Sequence, residues 1–324
     1  MQTIVTTLAH RYGTSDAFCA RYINNQLGEL SEATDPVAFE QALSPTQRLY
    51  LEYALSTNLR GRDLARLYPR TTRHARILDI GCGYGGTIRA FAEAGYEALG
   101  LEIDPNLAEF ARLNIEHISN ARVMCSDFVT EDPAALGSFD LIFCTDVIEH
   151  VSNPDRALEV AASLLRASGL LVLQIPNRNS VRQVLSDGHF CLFGSTLLSR
   201  QEGRELKRQI QGWDDPYHHM GELMPLAYYT SRLRQHGLTV HVAESDIESS
   251  ADVLTMFGDC CKRLAESQSD SRLSWFTRRE LAQAFSEYGK SLFESYSSAM
   301  QTGELDSFFL RYAAPTWAVT ARRD

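Results

Sequence analysis

The sequence is short of the features that mark several large protein classes. Its seven cysteines, Cys19, Cys82, Cys125, Cys144, Cys191, Cys260 and Cys261, are odd in number and contain no C-x-x-C pair. That argues against a disulfide framework or a structural zinc site and fits a reduced, cytoplasmic chain. No apolar run approaches the ~20 residues a membrane helix needs, so no membrane span is expected. The start, Met-Gln-Thr-Ile, lacks a basic flank followed by a long apolar stretch, so no secretory signal is expected. Positive charge is scarce: 31 Lys and Arg stand against 41 Asp and Glu, a formal net charge of −10. Nucleic acid is therefore not an expected partner. One run, Arg200, Arg204, Lys207 and Arg208, reads equally as a local basic groove or a solvated helix face. Internal repeats and low-complexity tracts are absent.

What is present changes character along the chain. Residues 1–74 carry helical signals without a strand pattern, including the capping box Ser44-Pro45-Thr46-Gln47. From Arg76 onward, short apolar runs alternate with helical segments. Strands are expected at Arg76–Ile80, Glu97–Glu102, Ala121–Cys125, Phe139–Cys144 and Gly169–Ile175. Helices are expected at Thr87–Ala94, Pro105–His117 with Asp104 as cap, and Pro154 to about Ala167 with Asn153 as cap. Cys82, Cys125 and Cys144 sit in or beside apolar runs that read as buried strands. A helix over Leu226–His236, a strand from Gly237 through Ala243 and a strand at Pro315–Ala321 follow. Between those last two lies a helical insertion with a capping box at Thr277-Arg278-Arg279-Glu280 and a stripe of Leu281, Phe285, Tyr288, Leu292 and Tyr296. The alternation implies βαβ units, right-handed crossovers and a doubly wound α/β sheet.

The string Leu78-Asp79-Ile80-Gly81-Cys82-Gly83-Tyr84-Gly85-Gly86 carries the chemistry. A strand runs into a glycine turn and then a helix, so backbone N–H groups at the helix start can face an anionic group. Glu102, at the end of the second strand, can accept the ribose hydroxyl protons of an adenosine ligand. Gly81, Gly83 and Gly86 also fit G-x-G-x-x-G, which alone is shared with dinucleotide enzymes. Asp79 weighs against a pyrophosphate and favours a ligand bearing an ammonium.

With LEID at 101–104, CSDF at 125–128 and FDLIFCTDVIEHV at 139–151, the string resembles the successive motifs of class I S-adenosylmethionine-dependent methyltransferases. The resemblance implies a seven-stranded Rossmann-like sheet of order 3-2-1-4-5-7-6 with strand seven antiparallel, and S-adenosylmethionine as cofactor. It further implies that Asp79, Gly81, Cys82 and Gly83 hold the methionine end and Glu102 the ribose. Ile103 would pack on the adenine, Asp127 and the Phe128 backbone would read its edge, and Asp146 would lie near the sulfonium. Asp127 also reads as a helix cap, and Ile103 as core. The expected organisation is a helical cap at 1–74, a core at 75–245 with an insertion at 178–225, a helical insertion at 246–312 and a final strand at 313–324.

On the acceptor side, a hydroxyl must lose its proton, and candidate bases should follow strands four and five. Asp146, Glu149, His150 and His219 are the catalytic candidates, with Asn177, Arg178, Asn179 and His218 nearby in the chain. His150 also reads as a polar residue satisfied at a loop–helix junction. Asp146-x-x-Glu149-His150 resembles the Glu-x-x-Glu-His metal site of some O-methyltransferases of ubiquinone synthesis and small-RNA end methylation. Its first acid is shorter here, and no metal is expected. The segment from Pro176 to Arg200 resembles methyltransferases associated with bacterial polysaccharide synthesis. The expected reaction is O-methylation of a glycan or other small molecule by a monomer or homodimer. Nitrogen or carbon methylation, a dinucleotide oxidoreductase and a non-catalytic cofactor-binding subunit are the alternatives.

Overall fold

A computed structural model describes residues 1–28, 35–69, 75–212, 223–245 and 249–323. Seven strands form one sheet: β1 (Arg76–Ile80), β2 (Glu97–Glu102), β3 (Ala121–Cys125), β4 (Phe139–Thr145), β5 (Leu165–Pro176), β6 (Leu238–Ser245) and β7 (Thr316–Arg323). Their order is β3-β2-β1-β4-β5-β7-β6, with β7 antiparallel, as the resemblance implies. The backbone N–H of Asn177, just past the end of β5, donates to Pro315 O, just before the start of β7. That meeting of one strand's end with the other's beginning is the antiparallel signature. β1 pairs in parallel with β2 and β4, with Asp79 opposite Gly100 and Phe143. Within β1, Ile77, Leu78 and Ile80 are buried, as suits a central parallel strand, and Asp79 is buried among them. β3 is an edge strand, so Cys125 is exposed rather than buried as expected.

The chain divides into two compact units, Met1–Cys144 with 163–171 and 323–324, and Thr145–Ala162 with 172–322. In the first, helices α1 (Gln2–Tyr12), α2 (Asp16–Gln26), α3 (Pro36–Ala42), α4 (Pro45–Leu55) and α5 (Thr57–Leu67) precede the sheet. The expected capping box opens α4: Ser44 Oγ accepts from Gln47 N, and Gln47 Oε1 accepts from Ser44 N. Two further helices, α6 (Gly86–Glu93) and α7 (Pro105–Asn114), follow β1 and β2, and α8 (Pro133–Leu136) follows β3. Phe18, Tyr22 and Phe110 pack around Tyr84 of the glycine turn, with ring centroids 5.5–6.2 Å from it. Gly61 of α5 sits against the first residue of α6: a Cβ there would lie 2.1 Å from Gly86 O. The N-terminal helices are thus packed directly onto the turn that follows β1.

The second unit holds α9 (Pro154–Ser163), α10 (Val181–Leu185), α11 (Arg200–Gln211), α12 (Leu226–Gln235), α13 (Ser250–Ser269), α14 (Trp275–Thr302) and α15 (Asp306–Phe308). α9 is shorter than expected and β5 begins early. Leu164 O accepts from Phe139 N at 2.8 Å and Arg166 pairs with Asp140 at 2.7 Å, so sheet contacts claim these residues from the helix. The cap of α14 is Ser274 rather than Thr277, because Ser274 Oγ accepts from Thr277 N and the Thr277 hydroxyl turns back to meet it. The stripe Leu281, Phe285, Tyr288 and Leu292 is buried, as expected. The basic run on α11 resolves residue by residue. Arg208 pairs with Glu205, whereas Lys207 is buried with its ammonium 2.6 Å from the Phe190 ring centroid. Among the described residues, no helix is long and apolar enough to cross a membrane.

Candidate active site

The glycine turn is built by positive φ angles at Gly81 (66°), Gly83 (50°) and Gly85 (79°), which side-chain-bearing residues adopt only at a cost. Cys82 is buried beneath it, and Cys82 N donates to Leu101 O, tying the turn to β2. Glu102 closes the turn: one carboxylate oxygen accepts from Gly83 N at 2.8 Å and the other from Asp104 N at 3.0 Å. A carboxylate has about four acceptor positions, so this leaves capacity for roughly two ligand hydroxyls. Asp79 is buried and accepts from Thr87; burial, reinforced by Glu102, pushes its carboxyl up to about 7.

A Cβ at Gly83 would meet nothing within 4 Å, so the turn faces open space. Ile103 is 66% exposed, which removes the reading of this residue as core. Asp127 accepts from Val129 N at 3.0 Å, and Phe128 is buried beside it. Ser126 N donates to Glu102 O, so the ends of β2 and β3 are joined. A carboxylate with spare lone pairs, a buried acid suited to an ammonium, an open glycine turn and an exposed apolar residue are the donor set that an adenosine-bearing amino acid requires.

Past β4, a second cluster forms within the other unit. Asp146 takes φ 55°, unusual for a residue with a side chain, and is exposed. The turn it starts sends Glu149 inward and leaves His150 exposed. Glu149 is fully buried, with no hydrogen-bond partner for either oxygen among the described residues. Burial, then the nearby Asp146, raises its carboxyl to about 8. His189 Nε2 lies 3.9 Å from Glu149 Oε1, and its ring packs edge-on to His150 with centroids 4.9 Å apart. Burial, then His150, lowers His189 to about 4. Glu149, His150 and His189 each offer one ligand atom within 4.8 Å of the others, a constellation able to hold a divalent ion.

Spacing gave no reason to join His189 to His150. Buried Asp187 does it, accepting from the backbone N–H groups of His189, Phe190 and Leu192 and from Ser195 Oγ, and so fixing the loop. His219, along with His218, lies outside the described residues.

A family model described as a methyltransferase domain matches residues 49–243. The chain belongs to that methyltransferase family. It is of the class I, S-adenosylmethionine-dependent kind, and S-adenosylmethionine is its cofactor. The ubiquinone biosynthesis O-methyltransferase of Xanthomonas campestris pv. campestris is 37% identical to this methyltransferase over 108 residues, 32% of this chain and 44% of that protein. Its counterpart from Xanthomonas axonopodis pv. citri is 37% identical over 116 residues, 35% and 47% of the two chains. The alignment thus spans less than half the length of these curated relatives. A methyltransferase structure from Archaeoglobus fulgidus matches with a TM-score of 0.48 and 16% identity, covering 85% of this chain and 98% of that one. Phosphoethanolamine N-methyltransferase 2 of Haemonchus contortus matches with a TM-score of 0.45 and 14% identity, covering 90% and 60%.

Proposed function

We propose that this methyltransferase acts on a hydroxyl of a small molecule or glycan. The observation that carries the reading is Glu149, a buried carboxyl without a hydrogen-bond partner among the described residues, grouped with His150 and His189 directly after β4. A hydroxyl acceptor must give up a proton as its oxygen forms the new bond to carbon, and this cluster supplies groups to receive it. His150, being exposed, is the group open to the acceptor; Glu149 and His189 orient it and spread the arriving charge. The relatives are O-methyltransferases by name, which supports oxygen as the acceptor atom.

The cofactor, when bound, supplies an electrophilic methyl group on a sulfonium. Glu102 would accept from the ribose hydroxyls, Asp79 would face the α-ammonium, and the turn Gly81–Gly83 would admit the backbone close to the methionine end. Ile103 would cover an adenine face, Asp127 and Phe128 would meet its edge, and Asp146 at the end of β4 would face the methionine end. Calorimetry with S-adenosylhomocysteine and NAD, followed by mass spectrometry of acceptors with labelled cofactor, tests this. Tight NAD binding without S-adenosylhomocysteine binding would sink it, and a product methylated at nitrogen or carbon would move the acceptor atom.

A second reading is favoured by the same cluster. Glu149, His150 and His189 are two imidazoles and a carboxylate, a donor set suited to zinc or a similar ion. In that case Glu149, His150 and His189 would hold the ion, which would supply Lewis acidity toward the acceptor oxygen. Turnover abolished by a chelator and restored by a divalent metal selects this reading; full activity in chelator removes it.

A further inference from the structure

Asn177, Arg178 and Asn179 follow directly on Pro176, the last residue of β5. Asn177 is fully buried, and its side-chain amide donates to the carbonyl oxygens of Leu310 (3.2 Å), Arg311 (3.0 Å) and Ala314 (2.7 Å). These carbonyls belong to a single π-helical turn, Phe309–Ala313, and its exit, where a helix end leaves acceptors without intrahelical donors. Asn177 therefore fastens the turn bearing Arg311 beside the residue that follows it, Arg178. The two arginines, remote in sequence, line one cavity of about 340 Å³. That size suits a small ligand or one end of a larger one.

The hydroxyls in the wall are occupied. Tyr288 donates to Asn179 O at 2.9 Å, and Ser291 and Tyr312 share a hydrogen bond of 2.9 Å. The charged groups are held in place, and among the described residues Arg311 is paired with no acid. Arg178 donates to Leu223 O at 2.8 Å. Arg311 donates to Ser291 Oγ at 3.2 Å, lies 5.1 Å from the Tyr312 ring centroid, and has no carboxylate within 4.0 Å among the described residues. A guanidinium carries five N–H donors in a planar fork that matches a carboxylate or phosphate, so most of Arg311's donors face the cavity or solvent. Among the described residues the one acid in the wall, Glu287, accepts instead from Gln283. Asp146 N donates to Gln174 O at 3.1 Å, so the end of β4, which leads into Glu149 and His150, lies beside the end of β5, which leads into Arg178.

We propose that this cavity binds a carboxylate or phosphate group, and that the group is part of the methyl acceptor. The second half rests on the methyl-transfer reading above; the anion site stands without it. Arginines that only braced α14 against the loop after β5 would not distinguish a charged ligand from a neutral one of equal shape.

The test titrates the full-length protein, with S-adenosylhomocysteine present, with phenyl phosphate, benzoate and benzyl alcohol by calorimetry. At least one of the two anions binds at least tenfold more tightly than the alcohol and weakens as salt is raised. The stronger of the two identifies the acceptor's acidic group. Arg311→Gln removes about tenfold or more of that affinity, as expected for a lost charge-assisted hydrogen bond, while Glu287→Gln strengthens it. S-adenosylhomocysteine affinity and thermal unfolding, unchanged in Arg311→Gln, verify that the variant is folded. Equal binding of all three probes, or Arg311→Gln indistinguishable from wild type, overturns the anion site.

Methyl transfer to 3,4-dihydroxybenzoate against catechol tests the second half. The acid shows the higher kcat/KM in wild type, and the preference vanishes in Arg311→Gln; anion binding without any such preference overturns the assignment to the acceptor. If S-adenosylhomocysteine itself fails to bind, the methyl-transfer reading falls, and the anion titration repeated without it still decides the cavity.

Discussion

Replacing Gly61 by alanine isolates the contact that joins the N-terminal helices to the cofactor turn. The added Cβ would lie 2.1 Å from Gly86 O and 2.4 Å from Gly86 C. Carbon–carbon contacts are favourable near ~3.5–4.0 Å, so α5 must retreat by more than ~1 Å. The opposing atoms are backbone and cannot rotate away, which puts the cost at the upper end of the ~1–3 kcal/mol usual for overpacking. Against this, alanine favours a helix interior over glycine by ~1 kcal/mol. The net expectation is a loss of roughly 1–2 kcal/mol in urea unfolding. Gly258, exposed within α13 with nothing within 4 Å of an added Cβ, supplies the control: there the same substitution stabilises by up to ~1 kcal/mol. Because Gly86 opens α6, Gly61→Ala should also weaken S-adenosylhomocysteine binding, and Gly258→Ala should not. Stabilisation of both variants to the same extent would refute the close crossing of α5 and α6.

Three further outcomes are expected. Glu102→Gln should weaken S-adenosylhomocysteine by roughly 1.5–3 kcal/mol for each charge-assisted bond lost; calorimetry giving wild-type affinity would remove Glu102 from the site. Asp79 is raised from 3.8 to about 7, so the neutral acid is the form favoured by the folded free protein. The stability it contributes is present below about pH 4 and lost as pH rises to about 7. A bound ammonium favours the carboxylate instead, so S-adenosylhomocysteine affinity should fall as pH drops below about 7, approaching tenfold per unit. Asp79→Asn should flatten that profile, and an equally steep profile in the variant would assign it to another group. His150→Ala should leave S-adenosylhomocysteine affinity intact while turnover falls ~10²–10⁴-fold; full turnover there and in Glu149→Gln would mean that alignment alone drives transfer.

The legible part of this protein is its locally encoded part. Asp79, the glycine turn, Glu102, Asp127 and Asp146 each stand at the end of a strand, and a strand's end is marked by a few contiguous residues. Small misreadings have local causes too. The Asn153-capped helix lost its last turn because Leu164 and Arg166 find sheet partners, and the cap of α14 moved by one turn because Ser274 and Thr277 compete for the same role.

From the sequence alone came the strand–turn–helix order and with it a doubly wound sheet, because backbone geometry and side-chain period act over a few residues; the order of the strands, the cofactor and the roles of the acids at the strand ends came from the resemblance of successive short motifs to a known family. The tertiary structure alone decided which distant side chains meet. His189 joins Glu149 and His150 through a loop organised by Asp187, Arg311 joins Arg178 through Asn177, and Gly61 meets Gly86 because two backbones cross. No spacing encodes these meetings. Each depends on how far a loop reaches and on which buried polar group must find a partner once the chain has closed on itself.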